Sequence, residues 1–188
     1  MDRSDQQLIA CYLKGDENSL EILIKRYLKP IYSFTFRFVG NSQEAEDITQ
    51  EVFIRVWRNL KKFNRNKNFK TWIFSIAKNT SIDFFKKKKA IPFSKFENEK
   101  EENKLIETLI DPTPLADELF ERVGIEKVLD AAINQLAPKY RMVLFLRYND
   151  HFTFREIAEI FGESSNTIKS RHRRAILILR KMLKAEDK

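Results

Sequence analysis

Between Ser164 and Ala185 the chain carries seven lysines and arginines and no acid. Within TFREIAEIFGESSNTIKSRHRRAILILRKML, Asn166, Lys169, Ser170, Arg171, Arg173 and Arg174 fall on the outer side of a helical projection. Ile168, Ala175, Ile176, Leu179 and Leu183 fall on the inner side. A DNA-reading helix needs this division. It enters the major groove, its first turns reach base edges, and flanking cations meet phosphates. The competing reading is a helical hairpin with a solvated basic face. Small Ala158 at a close crossing, Gly162 at a turn, and Ser164 or Ser165 as the next cap favour DNA binding.

A second constellation is WRNLKKFNRNKNFKTWIFSIAKNTSIDFFKKKK, in which aromatics alternate with cations. Unpaired bases stack on aromatic rings while lysine and arginine follow the backbone, so this mixture suits single-stranded nucleic acid. Phe63 and Phe69 bracket a loop of Asn64, Arg65, Asn66, Lys67 and Asn68 that is too polar for a core. Trp57, Trp72, Phe74 and Ile76 read as core residues. Lys86 to Lys89 suit a solvated helix end as well as a nucleic-acid contact. No phosphate-binding loop, CxxC pair or Ser-His-Asp set is present. His151 and His172 are the only histidines, so His172 is a poor candidate metal ligand. Cys11 stands alone among Leu8, Ile9, Tyr12 and Leu13 and reads as a small buried residue. No cofactor is expected.

Helices must position these groups. Gly (4) and Pro (5) are scarce for a turn-rich β architecture, and no alternating run is long enough for a sheet. Leu20, Ile22, Leu23, Ile24, Tyr27 and Leu28 recur at helical spacing, and Pro30 then allows a fresh helix carrying Ile31, Phe34, Phe38 and Val39. Gly40 stops it, and Asn41-Ser42 can cap the next. In that next helix Ile48, Val52, Val56 and Leu60 form a stripe four apart, with Asp47, Gln50, Glu51 and Arg55 largely off it. A further helix near residues 70–88 buries Trp72, Ile73, Ile76 and Ile82. Val123 to Leu136 reads as one segment, and Pro138 begins another. Thr153 and Glu156 form a capping box that starts a helix at Phe154.

The 188 residues suffice for two small domains, and a hydrophobic content of 43% supports real cores. The net charge of +8 suits a polyanionic partner. The charge is zoned. From Arg55 to Lys89 the only acid is Asp83, residues 97–130 are acid-rich and include Pro112 and Pro114, and the C-terminal zone is basic again. Two basic domains joined by an acidic tether follow. The N-terminus lacks signal-peptide character and no apolar run approaches a membrane span, so a cytoplasmic protein without membrane insertion is expected.

Taken together, LEILIKRYLKPIYSFTFRFVGNSQEAEDITQEVFIRVWRNL, FKTWIFSIAKNTSIDFFKKKK and LAPKYRMVLFLRYNDHFTFREIAEIFGESSNTIKSRHRRAILILRKML resemble the sigma-70 family, specifically its extracytoplasmic-function group. The resemblance implies an all-α protein. A sigma-2-like domain would cover residues 1–90, an acidic linker 91–121, and a sigma-4-like helix-turn-helix domain 122–188. It implies a transcription initiation factor, not an enzyme, with core RNA polymerase and promoter DNA as partners. An anti-sigma factor is a further partner by analogy with the group. The implied core-polymerase surface is Asp47, Gln50, Glu51 and Ile54. The implied single-strand surface is Asn64, Arg65, Asn66, Lys67, Asn68, Lys70, Lys78, Asn79 and Asp83. The implied duplex-reading set is Ser165, Asn166, Thr167, Lys169, Ser170, Arg171 and Arg174. Glu163 and His172 stand where the family usually has apolar residues, and they would either face each other or loosen the turn. The alternative reading is a stand-alone helix-turn-helix regulator. It would leave the Asp47–Glu51 helix and the aromatic-basic loop without work.

Overall fold

The computed structural model describes residues 3–89 and 126–186. Every regular element among them is helical, with no strand, as expected for an all-α fold. The stretch expected as the acidic linker, residues 91–121, lies outside the described residues.

The first unit begins with α1 (Asp5–Tyr12), opened by a capping box in which Ser4 and Gln7 satisfy each other's backbone N–H groups. Helix α2 (Glu17–Val39) runs unbroken through Pro30, where two helices were expected. An interior proline costs about 3 kcal/mol through its missing N–H and ring clash. Leu23, Tyr27, Ile31, Phe34 and Phe38 lie in one register across the proline and are all buried. Burying each such side chain contributes about 1.5–3 kcal/mol, so the continuous stripe outweighs the local penalty. Gly40 ends α2 in the left-handed region (φ 75°), its N–H donating to the Phe36 carbonyl at 2.8 Å. Asn41 then caps α3 (Ser42–Asn59), accepting from the Glu44 N–H at 3.0 Å. The expected stripe Ile48, Val52, Val56 and Leu60 is fully buried. A short 3-10 turn (Leu60–Lys62) leads through residues 63–68 to α4 (Phe69–Lys89).

The second unit contains α5 (Glu126–Gln135), α6 (Pro138–Leu144), a π-type turn (Phe145–Asn149), α7 (Phe154–Phe161) and α8 (Ser165–Glu186). Pro138 stands at the start of α6, where its missing N–H costs nothing. His151 follows the π-type turn with φ 57°. This sharp reversal turns Asp150 and Phe152 towards the first unit.

The two units are packed together. One apolar cluster runs from Leu8 and Ile31 through Phe74 to Phe152, Ile157 and Ile168. A smaller cluster of Leu136, Tyr140, Leu144, Ile176 and Leu179 belongs to the second unit alone. Among the described residues no helix is long and apolar enough to cross a membrane.

Candidate nucleic-acid interface

Helix α2 carries more apolar surface than its core stripe uses. Ile24, Leu28 and Tyr32 repeat every fourth residue on its outer side and meet Gln50, Ile54 and Trp57 of α3 across an open groove of about 820 Å³. Trp57 is 56% exposed, contrary to its expected place in the core. The α3 stripe consists of residues 48, 52, 56 and 60, so residue 57 turns away from it, and its indole N–H donates to the Tyr12 hydroxyl at 3.1 Å. Of the four residues expected on this surface, Gln50 and Ile54 line the groove. Asp47 is exposed beyond it. Glu51 faces elsewhere and holds Arg55 at 2.7 Å.

Arg55 also reaches Asp83 of α4 at 3.3 Å. Beside that bridge lies a recess of about 300 Å³ lined by Arg55, Asn59, Lys62, Trp72, Ile76 and Asn79. Two cations, an indole and two amides therefore line the same recess. The adjoining loop of Asn64, Arg65, Asn66, Lys67 and Asn68 is exposed throughout. It is braced internally, with Asn64 Oδ1 accepting from the Asn66 N–H at 3.0 Å and Asn68 Oδ1 from the Thr71 N–H at 3.3 Å. Phe63 and Phe69 anchor its ends in the core, 5.5 Å apart and edge-on.

The expected single-strand set is split by α4. Asn79 and Asp83 lie on the recess side. Lys70 and Lys78 point the other way, into the second unit. Lys70 Nζ donates to the Asp150 carbonyl at 3.0 Å and sits 4.4 Å above the Phe152 ring. Lys78 is only 8% exposed, with its ammonium 5.0 Å from the Phe161 ring centre. Burial pushes that ammonium below its ordinary pKa, against the attraction of Glu163. Arg55, Asn59, Lys62, Trp72 and Ile76 were absent from the expected set. Their signal was the spacing of 55 and 59 on α3, with 62 in the 3-10 turn that follows it, and of 72, 76 and 79 on one face of α4.

In the second unit, Thr153 and Glu156 form the expected capping box. Gly162 ends α7 at φ 70°, with the Gly162 and Glu163 N–H groups donating back to Glu159 and Ala158. Ser164 caps α8, accepting from the Thr167 N–H at 3.1 Å. This is a helix-turn-helix.

The family description Sigma-70 region 2 matches residues 23–91, and Sigma-70, region 4 matches residues 126–179. The ECF RNA polymerase sigma factor SigW of Bacillus subtilis is 33% identical over 172 residues, covering 91% of this chain and 92% of that one. This chain belongs to the sigma-70 family of RNA polymerase sigma factors, in its ECF group. The ECF sigma-E factor of Escherichia coli is 28% identical over 173 residues, covering 92% and 90% of the two chains. Among solved structures, CnrH in complex with the cytosolic domain of CnrY superimposes with a TM-score of 0.70 at 20% identity, covering 97% and 99%. RpoE of Bartonella quintana with the anti-sigma factor NepR gives 0.64 at 22%, covering 88% and 96%. Both show the same fold. As a sigma factor the chain directs RNA polymerase to promoters and is not itself an enzyme. The stand-alone regulator reading is not favoured.

On α8 of this sigma factor, Asn166, Lys169 and Ser170 are exposed, while Ser165, Thr167 and Arg174 are half-buried. Arg171, expected on the outer side, is only 9% exposed. Its guanidinium grips Glu163 through two bonds of 2.9 and 3.2 Å and lies 5.3 Å from the Phe161 ring centre. Glu163 thus faces Arg171, not His172. The turn is closed by this fork-to-carboxylate pair.

His172 instead meets the Tyr148 hydroxyl at 2.9 Å and packs 5.1 Å from Phe154. Burial, reinforced by Arg147, lowers its pKa. Because the unfolded chain then takes up the proton more readily than the folded one, the stability of this unit is full above about pH 6.5 and falls as the pH drops below it. Thermal unfolding followed from about pH 8 to about pH 5 should show that decline, and His172→Phe should flatten it. An unaltered slope in the variant would assign the decline to other groups.

Proposed function

We propose that the first domain, residues 1–90, captures an unpaired base of the non-template strand in the recess between α3 and α4, while the second domain, residues 122–188, holds duplex DNA upstream. The observation that carries this reading is the recess itself. Trp72 would offer a stacking surface, Asn59 and Asn79 donors and acceptors for a base edge, and Lys62 charge for the backbone, with Arg55 held in place by Glu51 and Asp83. Stacking of a base on an aromatic contributes about 1–3 kcal/mol, comparable to the cost of unstacking it from a duplex. The loop Asn64 to Asn68 lies beside the opening and would guide the strand in. Asn166, Lys169 and Ser170 are the exposed side chains at the start of α8 and would meet base edges and phosphates.

Core polymerase would dock in the groove between α2 and α3, with Gln50, Ile54 and Trp57 as contacts. An exposed apolar groove of this kind is a recognised sign of a protein interface. Polymerase supplies the chemistry, and the sigma factor would act beside it in the cytoplasm. One structural neighbour was solved with the anti-sigma factor NepR and another with the cytosolic domain of CnrY. We include a sequestering protein partner in the reading for this chain.

Run-off transcription with purified core polymerase on a random promoter library tests the whole reading. Recovery of one promoter class, carrying one conserved element near the melting region and another upstream, is the expected result. Recovery without sequence preference would overturn it.

A further inference from the structure

Four side chains near the start of α8, Asn166, Lys169, Ser170 and Arg173, are exposed. Their spacing of three and four places them on one outward face. Arg171 is turned about 100° from Ser170 and lies off that face. Its guanidinium points back to the turn before the helix, where both arms bond the Glu163 carboxylate at 2.9 and 3.2 Å. The Phe161 ring centre lies 5.3 Å from it. His172, the next residue, is also held inward, by the Tyr148 hydroxyl at 2.9 Å. The outward face resumes only at Arg173.

The turn itself sets the acceptor in place. Gly162 ends α7 in the left-handed region, and the Glu163 N–H donates to the Ala158 carbonyl at 3.0 Å. The backbone that carries the carboxylate is therefore fixed before α8 begins. Ser164 accepts from the Thr167 N–H at 3.1 Å, and the two hydroxyls meet at 2.8 Å. A cap thus braces the first turn of α8 and an ion pair braces the second. A guanidinium bonded to a carboxylate through both arms cannot set the same fork on the O6 and N7 edge of guanine. Withdrawing it would leave the Glu163 side chain, only 32% exposed, without those bonds.

We propose that Arg171 is a positioning residue and Glu163 a specificity determinant: their pair keeps the arginine off the base edges and fixes the angle at which α8 offers Asn166, Lys169, Ser170 and Arg173 to duplex DNA. The proposal deepens the duplex-reading function above and rests on it. An uncommitted arginine at this place would add a guanine contact and one more charge against phosphate. Pairing removes both, so reading falls to the amide of Asn166 and the hydroxyl of Ser170, with Lys169 and Arg173 as the flanking cations.

The test uses the full chain with core polymerase on promoters randomised in the upstream element. It reads the preference at each base-pair position and the dependence of binding on salt. Glu163→Ala releases Arg171 and should add a guanine preference at one position while steepening the salt slope by about one. Glu163→Ala with Arg171→Met keeps the net charge and the apolar stem. It should lack that gain and should weaken binding about three- to tenfold by a common factor on every upstream sequence, with the salt slope unchanged. Glu163→Arg with Arg171→Glu rebuilds the pair in reverse. It should return both readouts towards the starting protein, which no base-reading role at position 171 allows. Loss of preference at one position in the Ala–Met variant would overturn the proposal in favour of a base contact, and a slope shallower by about one would do so in favour of a phosphate contact. A Glu163→Ala chain with the preferences and slope of the starting protein would overturn it as well. If the starting protein shows no preference anywhere in the upstream element, the duplex-reading function fails and the specificity role with it. Preferences that are present but unmoved by Glu163→Ala refute the specificity role alone.

Discussion

Alanine at both Ile54 and Trp57 should weaken binding to core polymerase by about 2–4 kcal/mol, on the order of 30- to 1000-fold in Kd. The size follows from the kind of surface. Trp57 projects from α3 with more than half its area in water, and Ile54 lies one turn before it beside Ile24 and Leu28 of α2. Large aromatic anchors in apolar grooves dominate binding energy, whereas charges at a rim contribute little. Asp47→Ala should therefore change affinity by less than about 1 kcal/mol. Far-UV circular dichroism should be unchanged in both variants, since the α3 stripe of Ile48, Val52, Val56 and Leu60 is left intact. Co-purification or titration with core polymerase makes the measurement. If Asp47→Ala were the damaging change and the double alanine harmless, docking would lie on the acidic side of α3 and the groove would serve another purpose.

Asn79→Ala should lower open-complex formation on a fully paired promoter by about 1–3 kcal/mol, which is roughly 5- to 150-fold. Asn79 is exposed on α4 at the recess, where its amide can both donate to and accept from a base edge. On a template already unpaired at the melting element the defect should shrink, because the unstacking that base capture offsets has been done in advance. Permanganate footprinting of unpaired thymines, compared on paired and premelted templates, separates the two cases. An equal loss on both would mean that Asn79 supports polymerase docking or folding instead of base capture. Variants at Trp72 are less informative, since its ring also packs 4.8 Å from Phe63 and 5.6 Å from Phe69.

The contrast between Lys78 and Asn79 shows how far a sequence can be read. They are adjacent, both polar, both on α4, and both were expected at the single strand. A turn of about 100° per residue separates them, so one faces the recess and the other the second unit. Nothing local distinguishes those directions, because α4 carries aromatic and polar residues around its whole circumference. Trp57 was misplaced for a related reason: an apolar residue beside a core stripe looks the same whether it meets the protein's own core or awaits a partner. Arg171 was expected outward with the other cations of α8, and only the turn geometry brings Glu163 beneath it.

Some features depend on neighbours three or four residues apart, and these the sequence determined by itself. The Thr153–Glu156 capping box, the left-handed glycines at 40 and 162, the Asn41 cap and the buried stripe of α3 are all of this kind, and they suffice for an all-α chain with a helix-turn-helix near its end. The tertiary structure alone decided that α2 continues through Pro30, which faces of α4 are covered, and that the two basic units clasp each other through Arg37 and Asp150. The reason is range. Caps and stripes are settled within one or two helical turns, whereas burial of a face is a free-energy comparison among all the surfaces that could cover it, and those lie far along the chain, 80 residues for Lys70 and Asp150 and 113 for Arg37 and Asp150.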